Sequence, residues 1–527
     1  MIMKNYFMKS SMMLMAFAAV LAGCSQEDIQ QNASEQLSGK GLKLLVSTQD
    51  FVSDSQGRAI TNDDDKRTST FEDGDQMGLY IFSEEGDVLC DNLLYTYSEG
   101  KWTTDKTIYQ YKNAKYVAYF PYCKDLSSVT EATDITTYFE TNILPSISQT
   151  DAETYAQADL MVATTNEVTD EDVKLTLKHQ FSMIELNVPC RKYITQAGGF
   201  EYAAPVKMDV KINEKTDLYR VADGVYRMIV APGTTPTIVG SVEYDENMPI
   251  NFSSKSEGVT MNALAAGTFT QFNVTYTDPA VQGLPVDDAT GRYIRPLQPG
   301  DYYYSDGTIY PYTEGTVDQP ITEGCIGVIF EVGTGVPNTP WTHGSVLALK
   351  SLGQAKWSAK RCTVEGNMIE TLSDDVTVKS GYEVTLALVK TSGFLWNDAA
   401  NLAYNLGKGE YDSQYAAPVY SSGWYLPSIA DWVEVIQNLG GDTDFTLSTT
   451  GVSGDVISKI KNYIEIIDRD LATDYFLKYT LSSTEQAVDQ VWALELSGET
   501  FKFLNRQKVQ NQTSASNKFG ACAVLSF

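Results

Sequence analysis

Histidine is almost missing from this 527-residue chain, which holds only His179 and His343. His179 falls inside a strand-like alternation, where a structural histidine is expected, and His343-Gly344-Ser345 reads as a turn rather than a catalytic dyad. Gly-x-Ser-x-Gly, a phosphate-cradling glycine loop and His-Glu-x-x-His are all absent, so the common hydrolase, nucleotide-binding and zinc-protease sites are not written here. The seven cysteines include no Cys-x-x-Cys pair. With Cys24 set aside, three fall before residue 280 and three after, which argues against a disulfide scaffold or a zinc site and for buried free thiols. Basic charge is also short, at 39 Lys and Arg against 68 Asp and Glu, for a net charge of −29. A surface of that sign repels phosphate backbones, so nucleic acid is not an expected partner. No cofactor, metal or enzymatic activity is expected.

A long hydrophobic run is missing too. The apolar stretch from Met12 to Val20 is shorter than the ~20 residues a membrane-spanning helix needs. It follows Lys4 and Lys9 and leads into Leu21-Ala22-Gly23-Cys24, an order that resembles a bacterial lipobox. Residues 1–24 are therefore expected to be a lipoprotein signal peptide, with Cys24 acylated and the outer membrane engaged through lipid. Residues 25–40 read as a linker. Its acidic start, Ser25-Gln26-Glu27-Asp28, is similar to surface-export signals, although a solvated tether carrying no address has the same composition.

What the chain does have is 32 Tyr, 38 Gly and abundant Thr and Val, a composition of strands and turns. Leu42 to Thr48 reads as a strand, followed by a polar loop that holds Arg58, Asp63-Asp64-Asp65 and Arg67. Phe71 to Phe82 reads as a turn feeding a strand, and Tyr116 to Tyr122 as another that Pro121 ends or places at an edge. Strict alternation over Val173 to His179 and again over Ile184 to Val188 predicts half-buried strands and a second unit starting near Val173. No segment between residues 41 and 278 shows a helical period. Residues 41–170 and 171–278 are thus expected to be two β-sandwiches, and 279–292 a linker.

Beyond residue 293 helices enter. Asp306-Gly307 predicts a tight hairpin turn after Tyr302-Tyr303-Tyr304. Ala399, Leu402, Ala403 and Leu406 share a helical face that stops at Gly407, and Ser428 is placed to cap a helix presenting Ile429, Trp432, Val433, Ile436 and Leu439. A further helix should carry Ile457, Ile460, Ile464 and Ile467.

The order of lipobox, first strand, arginine in a polar loop, Phe71 to Tyr80, Tyr116 to Tyr122, Asp159-Leu160-Met161-Val162-Ala163 and Leu175 to Leu186 around His179 resembles the fimbrillin family of type V, Bacteroidota-type pilins. That resemblance implies a mainly β fold with two tandem transthyretin-like sandwiches. It also implies cleavage after an arginine, for which Arg58 is the first candidate and Arg67 the second, in a loop where proteases nick. Loss of the first strand then opens a groove that a strand from another pilin subunit fills by donor-strand exchange. The family's usual donor is the final strand. Here Val524, Leu525 and Phe527 are expected to be buried in a further domain, which points to a tip adhesin of the fimbrium.

Residues 293–527, with Trp396-Asn397-Asp398 on a helix and Gly423-Trp424-Tyr425-Leu426-Pro427 before Asp431-Trp432, resemble C-type-lectin-like modules related to the formylglycine-generating-enzyme fold, an α+β domain used mostly for binding. The calcium-binding role of a Trp-Asn-Asp motif does not transfer, since this one opens a helix that Asn397 or Asp398 should cap, and Val336-Pro337-Asn338 lacks the partner acid. Cys325, Cys362 and Cys522 match no copper-binding pair. A glycan or a host or bacterial protein is the expected ligand, with Trp341, Tyr303, Trp424 and Trp492 as stacking candidates, although Trp424, Trp432 and Trp492 are more simply core residues. The alternative is a permanently lipid-anchored surface lipoprotein, or pilus anchor, that binds its ligand without being cleaved.

Overall fold

The computed structural model describes residues 37–53, 69–126, 128–166, 172–233, 235–243, 249–256, 261–275, 283–313, 320–358, 362–391, 398–409, 411–449, 451, 455–473, 475–497, 500–508 and 519–527. Cys24, Arg58, Arg67, Trp396 and Asn397 lie outside them. The fold is mainly β, as expected.

The first module is built on a seven-stranded sheet. Its order runs Leu44–Gln49, Val173–His179, Met161–Thr165, Lys115–Phe120, Gln76–Phe82, Val88–Ser98 and Lys101–Thr103. The central strand Gln76–Phe82 is buried from Met77 onward rather than alternately, because both sheet faces are covered. One face packs Met77, Leu79, Ile81, Tyr116 and Leu175. The opposite face packs Tyr80, Phe82, Val117 and Tyr119 against Ile135, Phe139 and Ala158 of two short helical segments, and against Phe181, Met183, Ile229 and Phe269 from the next sheet. Gly78 is required by this packing, since a Cβ there would lie 2.0 Å from the Tyr119 ring. The Tyr119 hydroxyl in turn donates to Asn92 Oδ1 at 2.6 Å.

Two expectations need correction. Ala132–Tyr138 and Ala152–Ala158 are α-helices inside the region expected to have none. Each is seven residues long, about two turns, too short for apolar periodicity to register. They are legible instead at their starts, where Asp151 accepts from Thr154 N at 2.8 Å and Asp134 accepts from Glu131 N at 3.0 Å. The boundary expected at 170/171 also moves. Val173–His179 belongs to the first sheet, paired with both Leu44–Gln49 and Met161–Thr165. Alternation identifies a strand but not the sheet it joins.

The second module is a sandwich. A five-stranded sheet, Tyr219–Ala222, Val225–Val230, Ser182–Asn187, Thr268–Asn273 and Val52–Ser53, shares a core with the three-stranded sheet Lys207–Ile212, Ile238–Glu243 and Ile250–Ser253. A hairpin of Lys192–Ile194 and Glu201–Ala203 leaves this sandwich and pairs in parallel with Tyr293–Ile294. Its Tyr193 and Tyr202 lie in the core of the C-terminal module. Residues 283–292 are therefore a short approach to a packed junction.

The C-terminal module is α+β. Its five-stranded sheet runs Ile309–Tyr310, Tyr302–Tyr304, Cys325–Val332, Gly344–Ala348 and Val524–Ser526, and a four-stranded sheet runs Thr500–Gln507, Gln490–Ser497, Tyr479–Ala487 and Phe519–Gly520. The predicted helices appear as Ala399–Asn405, Ile429–Glu434 with its continuation Val435–Leu439, and Asp455–Ile467. Gly381–Lys390 is a helix the sequence reading missed. Ser428 caps as expected, accepting from Asp431 N at 3.2 Å while Asp431 Oδ2 accepts from Ser428 N at 2.7 Å. Asp398 occupies the N-cap position of Ala399–Asn405, but its side chain makes no capping bond and is buried. Gly307 takes φ +79° in the predicted turn, and a Cβ there would collide with the Tyr420 hydroxyl. Cys325 and Cys522 are buried and Cys90, Cys123, Cys190 and Cys362 half-buried, and no disulfide joins any two of these six described cysteines.

Candidate functional site

Residues 44 to 53 hold the edges of two sheets at once. Leu44–Gln49 pairs with Val173–His179 in parallel, in six residue pairs from Leu44 with Val173 to Gln49 with Lys178, and ends the seven-stranded sheet. Asp50 and Phe51 cross over. Val52–Ser53 then pairs in parallel with Thr268 and Phe269 at the edge of the five-stranded sheet, and Val52 N donates to Gly267 O at 2.9 Å.

Few side chains hold this segment in place. Leu44, Val46 and Thr48 point inward but are only half-buried, while Leu45, Ser47 and Gln49 face out, so a strand of period two sits over a shallow groove. Thr48 Oγ1 donates to Ser69 O at 2.9 Å, and the Ser47 and Thr176 hydroxyls meet at 3.1 Å. Phe51 differs. It is 8% exposed and belongs to the core that joins the two modules. Its ring stacks on the imidazole of His179, centroids 3.7 Å apart and planes 18° apart. His179 is itself buried, and its Nδ1 meets Asp159 Oδ1 at 2.8 Å. His179 is thus structural, as expected, with its ring oriented by Asp159, which closes the helix Ala152–Ala158. Phe51 was not singled out from sequence. The signal was a large aromatic directly after an alternating strand.

The opposite end of the chain is held differently. Val524–Ser526 pairs antiparallel with Gly344–Ala348, Tyr425 and Val524 exchange main-chain bonds at 2.8 and 2.9 Å, and Val524, Leu525 and Phe527 are buried.

The expected ligand-stacking residues separate into two groups. Tyr303 is fully buried and stacks on Phe527 with centroids 4.6 Å apart, and burial raises its hydroxyl pKa well above the ordinary value. Trp424 is 2% exposed, with Nε1 donating to Tyr415 O at 2.7 Å. Neither presents a ring to a ligand, because both fill the module's core. Trp424 and Trp432 are core, as the simpler reading had it. Trp492 is half-buried, with Nε1 donating to Ile369 O at 2.8 Å. Trp341 is half-buried and meets Tyr382 edge to face at 5.2 Å. Among the described residues no group of three or more His, Cys, Asp or Glu is placed to hold a metal ion, and no helix is long and apolar enough to cross a membrane.

Two sheets edged by consecutive strands of one segment, followed by a mixed module that encloses the strand Val524–Ser526, define a modular, mainly β protein. Over residues 58–290 the sequence matches the model of the fimbrillin-like family. Most of the chain is similar to a Bacteroides ovatus protein named as a fimbrium tip subunit, 22% identical over 547 residues that cover 91% of this chain and 96% of that one. Among solved structures, a fimbrial protein from Bacteroides ovatus aligns over 92% of this chain and 99% of that one at 19% identity and a TM-score of 0.45. A cell adhesion protein from Bacteroides uniformis aligns over 46% of this chain and 94% of that one at 16% identity and a TM-score of 0.29.

Proposed function

We propose that this fimbrillin-like chain is the tip subunit of a surface fimbrium. In this reading it is exported as a lipoprotein acylated at Cys24, is cut after Arg58, or failing that Arg67, and is joined to the next subunit by strand exchange. The observation that carries the reading is the placement of residues 44–53. They edge both fimbrillin-like sheets, are half-buried or exposed except at Phe51, and end shortly before both arginines in the sequence. Release of this one segment would bare two adjacent parallel edges, a continuous main-chain template for an incoming strand.

The tip position is supported by the commitment of Val524–Ser526 to its own sheet. To serve as a donor, that strand would have to leave a buried site and take Leu525 and Phe527 out of a core they help to fill. The name of the Bacteroides ovatus relative agrees with this reading. The C-terminal module, read as C-type-lectin-like, then carries the adhesive surface, for which Trp341 and Trp492 remain as half-exposed aromatic contacts for a glycan or protein.

N-terminal sequencing of protein sheared from the cell surface tests the proposal. A start at Ala59 or Thr68 is expected. An acylated Cys24 on all of the assembled protein would replace this reading with the permanently anchored lipoprotein.

A further inference from the structure

We propose that the enclosed space filled by Phe51 is an aromatic-specific pocket, and that any strand replacing residues 44–53 must carry an aromatic ring at this place to be held. The inference rests on the strand-exchange reading above and goes on to name the chemistry of the incoming partner.

The segment is uneven in a way that matters. From Gly41 to Ser53, Phe51 alone is buried; Leu44, Val46 and Thr48 remain half-exposed although they face inward. Shallow contacts of that kind accept any apolar side chain at a spacing of two. Phe51 instead lies where the chain passes from one sheet to the other, with main-chain pairing fixed on both sides by Gln49 with Lys178 and Val52 with Thr268. The ring therefore cannot slide along the groove. A strand shifted by one residue would turn its aromatic to solvent and place a different side chain against His179.

The wall of the pocket selects for flatness as well as size. The His179 ring is held by Asp159 and offers its face to Phe51 over nearly parallel planes. A planar ring covers that face fully, whereas an aliphatic side chain covers only part of it. Leu160, Phe181 and Phe269 belong to the same core, so an empty pocket would let water into the junction of the two modules. The partner this describes is an extended strand of another subunit. It runs parallel to Val173–His179, with apolar residues two apart and an aromatic five positions beyond the second of them.

The test uses the full chain with a specific protease site placed between Ala59 and Lys66, cut after folding. Release of the severed N-terminal segment is followed in the native and Phe51→Ala chains. Uptake of labelled synthetic peptides spanning residues 42–53 is followed with Phe, Tyr, Leu or Ala at position 51. The Phe51→Ala segment should leave about 100-fold faster than the native one, the Tyr peptide should be retained within about threefold of the Phe peptide, and the Leu peptide should be lost about tenfold faster. Equal retention of the Phe and Ala peptides overturns the pocket while leaving strand exchange intact. Fast loss of the Ala segment with no uptake of any peptide overturns strand exchange, and with it the demand on a partner.

Discussion

Arg295 sits where the second sandwich meets the C-terminal module, and its removal should loosen that junction measurably. Its guanidinium forms a two-pronged pair with Asp301, Nη1 to Oδ2 and Nη2 to Oδ1, both at 2.8 Å. The Asp301 side chain is fully buried and that of Arg295 is 10% exposed. Burial works against the Arg295 charge, but hydrogen bonds and attraction from Asp301 outweigh it and raise its pKa above the ordinary value. Tyr202, from the hairpin that crosses between modules, donates to Arg295 O at 3.1 Å. Arg295→Met keeps the aliphatic stem and strands a buried carboxylate. Breaking such a pair costs about 3–5 kcal/mol. Gln298 N and Tyr312 N, each 2.9 Å from Asp301, remain to solvate it, which favours the lower end, about 3 kcal/mol, for this site. Six of the seven tryptophans lie beyond residue 293, so tryptophan fluorescence during urea unfolding reports this module. The midpoint should fall in Arg295→Met, and Arg295→Met with Asp301→Asn should recover part of the loss, since the stranded charge is gone. A single-variant effect under about 1 kcal/mol, or strictly additive losses in the double variant, would refute the assignment of the pair as a junction clamp.

Lys508 and Glu485 form a second enclosed pair, both side chains fully buried. Lys508 Nζ also donates to Cys362 O at 2.8 Å and Val488 O at 3.1 Å, and Glu485 Oε2 accepts from Val364 N at 2.8 Å. Lys508→Met should cost about 3–5 kcal/mol in the same urea assay, and an unchanged midpoint would mean that the carboxylate is not stranded. His343 stacks on Phe200 with centroids 4.0 Å apart, and burial lowers its pKa below the ordinary 6.5. The unfolded chain therefore takes up a proton at a higher pH than the folded one, and stability should fall as pH drops from about 6.5 toward the folded value. His343→Phe keeps the stack and removes the proton, so comparing urea midpoints near pH 7.5 and about pH 5.5 should show a smaller acid loss in the variant. An identical loss in both chains would assign the acid sensitivity elsewhere.

Local chemistry was legible wherever one short stretch sufficed to state it. The alternation of Val173 to His179, the turn at Asp306-Gly307, the Ser428 cap and the face of Ile457, Ile460 and Ile464 all appear as read, because each depends on neighbours within one or two turns of chain. The short helices at 132 and 152 escaped because they owe their existence to packing on a sheet more than to their own periodicity. The same limit explains Tyr303 and Trp424. An aromatic side chain that faces solvent and one that fills a core are the same letters, and only the far partners, Phe527 for one and the Tyr415 carbonyl for the other, decide between them.

By itself, the sequence determined the mainly β character, the change of architecture near residue 293 and the fimbrillin-like order of its motifs, since composition, periodicity and turn residues act locally. Only the tertiary structure decided that residues 44–53 edge two sheets, that Val173–His179 belongs to the first of them, and that Phe51 rests on His179. Those facts depend on pairing between segments more than a hundred residues apart, and strand pairing is written in main-chain hydrogen bonds that every residue except proline can make.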